Sequence, residues 1–234
     1  MRWADPHAAP GQVVGLFGGS FDPPHPGHLH LSHEAIKWLG LDWLWWLVSP
    51  GNPLKHRAPA PLAARMMAAR AMAQHPRIAI TDIESRLGTR ATADTLAALQ
   101  HRYAGVRFVW IMGADNLAGL HRWGRWHEVL GRVPVAVFAR PGQRMAALNA
   151  RAARQYARYR LPEGAARGLG HATPPAWIYL DMPMRPDSST ALRRQAQHQT
   201  EGRQAQRQTE GRQAQEQTER RQAQGRVDTS LTKF

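Results

Sequence analysis

The chain has 234 residues, 43 % of them hydrophobic, no cysteine and a formal charge of +14. That is enough apolar material for one core of ordinary size or two small ones, while the lack of cysteine excludes disulfides and thiolate metal sites and leaves histidine and carboxylates as metal ligands. No segment approaches the roughly 20 apolar residues of a membrane span, and residues 1–12 hold no signal-like apolar core, so a cytoplasmic protein is expected, with polyanionic partners favoured by the charge.

Short β-rich runs at Val13–Phe17, Trp43–Val48, Ile78–Ile80, Val106–Met112, Val133–Phe138 and Trp177–Leu180 alternate with helix-like stretches. The latter are Gly27–Trp38, Leu62–Gln74, Ala93–Tyr103, Arg125–Leu130 and Met145–Tyr159. Pro61 is a favoured opening residue for the second helix, and Thr92 is the expected N-cap of the third. Strands alternating with helices imply crossover units: an α/β fold with a doubly wound, mainly parallel sheet and helices on both faces. Ligands of such sheets bind outside the carboxyl ends of the strands, where the connections reverse. Beyond residue 194 the composition changes to a nine-residue repeat, QAQHQTEGR, QAQRQTEGR and QAQEQTERR, then a fading copy. It has almost no large apolar residue with which to offset chain entropy. The expected organisation is therefore a folded domain over 1–194 and a disordered or loosely helical tail over 195–234.

The loop after the first run reads GGSFDPPHPGH, Gly18 to His28. Gly18 and Gly19 are expected to follow the strand and let the backbone turn sharply beside a ligand. Pro26 suits a first helical turn, which puts His25 just ahead of a helix and His28 inside its first turn. Free N–H groups and the positive end of the helix dipole favour an anion there, and two imidazoles can donate to phosphate oxygens. The glycines do not fit the dinucleotide fingerprint, and no GxxxxGK[ST] loop exists. A zinc site would need further ligands, and a histidine-bearing helix cap without function is the other alternative.

Four further segments carry polar groups suited to ligands. In SPGNPLK, Ser49 to Lys55, two prolines and a glycine present Lys55, a mobile point charge suited to phosphate or simply a solvated lysine. In TRATADTL, Thr89 to Leu96, Thr92 and Asp94 fit a helix start. In FVWIMGADNLAGLHRWGRW, Phe108 to Trp126, Asp115 stands at a strand end, where it could accept hydrogen bonds from ribose hydroxyls or a base amine. Trp123 and Trp126, three apart, are expected on one helical face, for ring stacking or for core packing. In SSTALR, Ser188 to Arg193, three hydroxyls at a helix start with an arginine one turn on describe a second anion site or a plain capped helix.

FDPPHPGH carries the HxGH signature of the nucleotidylyltransferase superfamily, and GGSFDPPHPGH closely resembles bacterial nicotinate-nucleotide adenylyltransferases. The resemblance runs from about Val13 to Arg193. It implies a Rossmann-like fold and transfer of AMP from ATP to nicotinate mononucleotide, giving nicotinate adenine dinucleotide and pyrophosphate, a step of NAD synthesis. His25, His28 and Lys55 would be catalytic. Gly18, Gly19, Ser20 and Phe21 would lie against ATP with them, joined by Ser188, Ser189, Thr190 and Arg193 on the triphosphate. Thr92, Asp94, Asp115, Trp123 and Trp126 would hold the mononucleotide, an indole against the pyridine ring. Mg²⁺ would enter with ATP, held by its oxygens and water rather than by the protein. Ala91 departs from the family, which usually has an aromatic there, and the repeat stands where the family has a final apolar helix. The sibling alternatives are a pantetheine-phosphate adenylyltransferase or a cytidylyltransferase; the alternative of another class is a basic nucleic-acid-binding protein, whose binding would fall steeply with salt.

Overall fold

The structure is a computed structural model that describes residues 5–51, 58–139 and 141–181. Seven strands form one sheet: β1 (Val13–Gly19), β2 (Trp43–Val48), β3 (Ile78–Thr81), β4 (Arg107–Gly113), β5 (Val135–Phe138), β6 (Arg160–Leu161) and β7 (Trp177–Leu180). Their order is β3-β2-β1-β4-β5-β7-β6, and every neighbouring pair is parallel. The sheet thus grows outward from β1 in one direction through β2 and β3, then restarts on the other side of β1 with β4. The carboxyl ends of β1 and β4, where the order reverses, are the expected ligand position in a doubly wound sheet.

Helices cover both faces, which is why a strand such as WLWWLV is apolar at every position rather than at alternate ones. Successive side chains still point to opposite faces. Trp46 packs with Phe17, Leu44, Ile111 and Ile178 beneath α1 (Pro26–Leu39) and α2 (Leu62–Met72). Trp45 packs with Leu16, Leu47 and Trp110 beneath α4 (Thr92–Arg102), α5 (Ala114–Gly119) and α6 (Trp126–Arg132). The short helices α3 (Ile83–Arg86), α7 (Arg144–Leu148) and α8 (Arg151–Gln155) complete the set, with 3₁₀ turns at Leu120–Arg122, Ala157–Tyr159 and Glu163–His171. Among the described residues no helix is long and apolar enough to cross a membrane.

Some expected boundaries move. The single helix expected over Met145–Tyr159 is broken at Asn149 and Ala150, because Ala150 adopts extended backbone (φ −62°, ψ 153°) as the N-cap of α8. Short elements without a hydrophobic period of their own, namely β6, α3 and α5, add to the expected set. Most relevant to function, β1 runs on through Gly18 and Gly19, which pair with Leu47 and Val48. The glycines do not make the turn. A Cβ at Gly18 would lie 2.7 Å from Cη2 of Trp110, and one at Gly19 would lie 3.1 Å from the Phe21 ring, so the two positions admit neighbouring rings against the strand. The turn itself falls on Phe21, held in the left-handed region at φ 45°, an uncommon conformation for a bulky residue.

Candidate active site

At the carboxyl end of β1 the chain passes through Phe21 and a cis Asp22–Pro23 bond and enters α1 at His25, the N-cap, with Pro26 at the first helical position. The His25 backbone N–H donates to Nδ1 of His28 (3.2 Å), and the His28 N–H donates back to the His25 carbonyl (2.9 Å). Nδ1 of His28 is thereby an acceptor, so the neutral ring carries its proton on Nε2. The two imidazoles lie against each other with centroids 3.7 Å apart, and both are buried. Packing therefore sets their orientation.

A rigid aromatic wall stands behind them. Phe21 is stacked on Trp46, with centroids 4.6 Å apart and planes 5° from parallel, and His28 lies 4.9 Å from the Phe21 centroid. The Trp46 indole N–H donates to the Ser32 hydroxyl (2.8 Å), which donates in turn to the His28 carbonyl (2.8 Å). Ser32 is one turn beyond His28 on α1, and nothing in its sequence context marks it out. Phe21, expected beside ATP, is 1 % exposed; its ring belongs to this wall, so only its backbone is placed to face a ligand.

The loop after β2 is tied directly to the first, since the Ser49 N–H donates to the Gly19 carbonyl (2.9 Å). Lys55 lies outside the described residues. Arg65, on α2, is buried against both loops; within an alanine- and methionine-rich helix it looks like one more solvated arginine.

After β3 the structure corrects one expectation and adds a network. The N-cap of α4 is Ala91, and Thr92 is the first helical residue. The neighbouring oxygens that matter are those of Thr89 and Thr95, whose hydroxyls are 2.8 Å apart, with Thr95 donating to the Glu84 carboxylate (3.3 Å). The Thr89 N–H donates to the Glu84 carbonyl (3.0 Å). Burial raises the Glu84 carboxyl to about 7, against the lowering effect of the Thr95 hydrogen bond. Asp94 is exposed and pairs with Arg125, which brings α4 alongside the segment that carries the two tryptophans.

Asp115 lies in the first turn of α5, exposed and directly beyond the end of β4, with β4 next to β1 in strand order. Trp123 and Trp126 do not share a helical face. Trp123 follows the 3₁₀ turn, Gly124 intervenes, and Arg125 adopts φ 52° before α6 opens at Trp126. Trp126 is buried in the core with His127 and Tyr156 against it. Trp123 is half-buried and meets Trp110 edge-on at 6.4 Å, the same indole that lies over Gly18. Gly18, on β1, and Trp123 therefore both pack against the one buried indole of Trp110. Ser188, Ser189, Thr190 and Arg193 lie outside the described residues.

Comparison with known proteins gives the family. Residues 16–195 match the cytidylyltransferase-like family. A protein of Ruegeria pomeroyi named "Probable nicotinate-nucleotide adenylyltransferase" is 60 % identical over 82 % of this chain and 91 % of its own. Proteins with the same name from Cereibacter sphaeroides (62 %, covering 77 % of this chain and 96 % of theirs) and Methylorubrum extorquens (52 %, 77 % and 98 %) are similar throughout. In fold, the chain resembles the Plasmodium falciparum nicotinic acid mononucleotide adenylyltransferase complexed with NaAD, with a TM-score of 0.58 at 14 % identity over 78 % of this chain and 83 % of that one. With the HxGH loop seated at the reversal of a parallel sheet, the chain belongs to the cytidylyltransferase-like nucleotidyltransferases and, within them, to the nicotinate-nucleotide adenylyltransferase family.

Proposed function

We propose that the chain transfers AMP from ATP to nicotinate mononucleotide at the carboxyl ends of β1 and β4. The observation that supports this reading is the histidine pair at the start of α1: a 14-residue helix begins with His25 and His28 just beyond the carboxyl end of β1, where its positive end favours an anion. An oxygen of the mononucleotide 5′-phosphate attacks the α-phosphorus of ATP, the bond from that phosphorus to the α,β-bridging oxygen breaks, and pyrophosphate leaves. The attacking group is already an anion, so no protein nucleophile is needed, and the protein contributes positioning and charge stabilisation.

In this reading His28 and His25 donate to the α-phosphoryl oxygens as charge builds on them. Gly18, Gly19 and Ser20 offer backbone to the nucleotide. Lys55, Ser188, Ser189, Thr190 and Arg193 take the β- and γ-phosphates. Asp115 accepts from hydroxyls of the mononucleotide, Trp123 meets its pyridine ring, and Thr92 and Asp94 close that end of the site. Trp126 belongs to the core, against His127 and Tyr156, and not to the ligand. The nucleotide substrate is the Mg²⁺ complex of ATP, its metal held by phosphate oxygens and water. The catalytic domain ends near residue 194, and the protein works in the cytoplasm.

The test is pyrophosphate release by the purified chain with ATP and, in parallel, nicotinate mononucleotide, nicotinamide mononucleotide and phosphopantetheine. Turnover highest with the nicotinate compound supports the reading. Preference for phosphopantetheine, or no turnover together with salt-sensitive binding to nucleic acid, refutes it.

A further inference from the structure

We infer that Arg65 is a positioning residue of the phosphate site: its single guanidinium clamps the loop after β1 to the loop after β2 and so holds in place the turn that leads to His25 and His28, an inference that rests on the function proposed above. Arg65 is the only lysine or arginine among the described residues that is fully buried, at 3 % exposure. A buried cation is retained where its donors are engaged, and here they are engaged by main chain from three places. Nε donates to the Ala60 carbonyl (2.7 Å). One terminal nitrogen donates both to the Ser20 carbonyl (2.7 Å) and to the Ser49 carbonyl (2.8 Å), and the other reaches the Pro50 carbonyl at 3.5 Å. Burial lowers its pKa, with Asp22 acting in the opposite direction, and a guanidinium stays charged under such a shift.

The position of these carbonyls gives the clamp its meaning. Ser20 directly precedes Phe21, where the backbone turns into the left-handed region, and stands five residues before His25. Ser49 and Pro50 directly follow β2. The turn that leads to the histidines and the start of the loop after β2 thus hang from one planar group. Only arginine can do this, because its fork spreads donors over a fixed plane, whereas lysine concentrates three donors on one atom. An arginine that merely filled space would support the fold without fixing the relation of the two loops.

The experiment compares wild type with Arg65→Gln and Arg65→Lys, by hydrogen exchange of peptides spanning residues 18–28 and 44–51 and by steady-state kinetics with each substrate varied. The clamp predicts that exchange in both loops rises together. It also predicts that kcat/KM for ATP falls about 100-fold in Arg65→Gln, the scale expected for misplaced reacting groups, and less in Arg65→Lys, while KM for nicotinate mononucleotide stays near its wild-type value. Loss of thermal stability with kcat and KM for ATP unchanged overturns the inference, as does loosening of one loop without the other. If Arg65→Gln does not fold, Arg65→Lys is judged by the same criteria. A wild-type chain without turnover refutes the proposed function instead, and the clamp is then decided by the exchange data alone.

Discussion

Glu84 offers a quantitative test because one buried carboxyl carries a large, signed consequence for stability. It lies beneath the Thr89–Thr95 element, 9 % exposed, and burial moves it from 4.5 to about 7. In the unfolded chain it ionises near 4.5; in the fold it keeps its proton until about pH 7. A carboxyl raised in this way stabilises the fold fully below its unfolded value, and the stabilisation is lost as pH rises through the folded value. The separation of about 2.5 units at about 1.36 kcal/mol per unit gives a loss of about 3 kcal/mol between pH 4.5 and 7, level thereafter. Glu84→Gln keeps the shape and the oxygen that accepts from Thr95 (3.3 Å) but cannot ionise. Urea denaturation of both proteins at pH steps from 4.5 to 9 reads the difference. The variant should match wild type at the acid end and exceed it by about 3 kcal/mol at pH 8 and above. A difference that stays flat across the range, or a variant less stable than wild type at pH 9, would show that Glu84 is ionised in the fold and that the network is an ordinary charged one.

Three other expectations are open to direct measurement. Gly18→Ala puts a methyl 2.7 Å from the Trp110 ring and should destabilise by about 1–3 kcal/mol, with near-wild-type stability contradicting the close ring–strand contact. Trp123→Phe should weaken nicotinate mononucleotide binding by about threefold to tenfold, the range of one aromatic contact, and leave ATP binding unchanged in calorimetry; equal losses for both ligands would assign Trp123 to packing. If the catalytic domain ends near residue 194, a chain ending at Arg203 should retain turnover and most of its thermal stability, and a folded but inactive truncation would place part of the site in the repeat.

Where function rests on a contiguous motif, the sequence was informative. GGSFDPPHPGH carries the helix start at Pro26 in its own residues, and the alternating apolar runs are sufficient for a parallel sheet. What was missed depends on contacts between distant residues. Gly18 and Gly19 read as turn formers, yet they are strand residues kept small by the rings of Trp110 and Phe21, and only the β1–β4 pairing could reveal that. Phe21 and Trp46 look like separate hydrophobic residues 25 positions apart until the fold stacks them behind His28. Arg65, within an expected helix, and Glu84, outside every expected element, are charged residues with no sign of burial in their sequence context; each is buried by long-range packing and satisfied by groups from elsewhere in the chain. Trp123 and Trp126 were separated by backbone chemistry, since the left-handed turn at Arg125 follows a glycine whose freedom gives no fixed direction.

If AMP is transferred at the helix start that bears His28, as proposed, loss of that one side chain should slow the transfer without removing the substrates. The most direct measurement is turnover of ATP and nicotinate mononucleotide to nicotinate adenine dinucleotide by His28→Ala, beside calorimetric binding of each substrate to the same protein. Removing one donor to the α-phosphoryl group should cost about 100-fold to 1,000-fold in kcat, with both substrates still bound. A folded His28→Ala protein that makes the dinucleotide at near-wild-type rate would contradict the account.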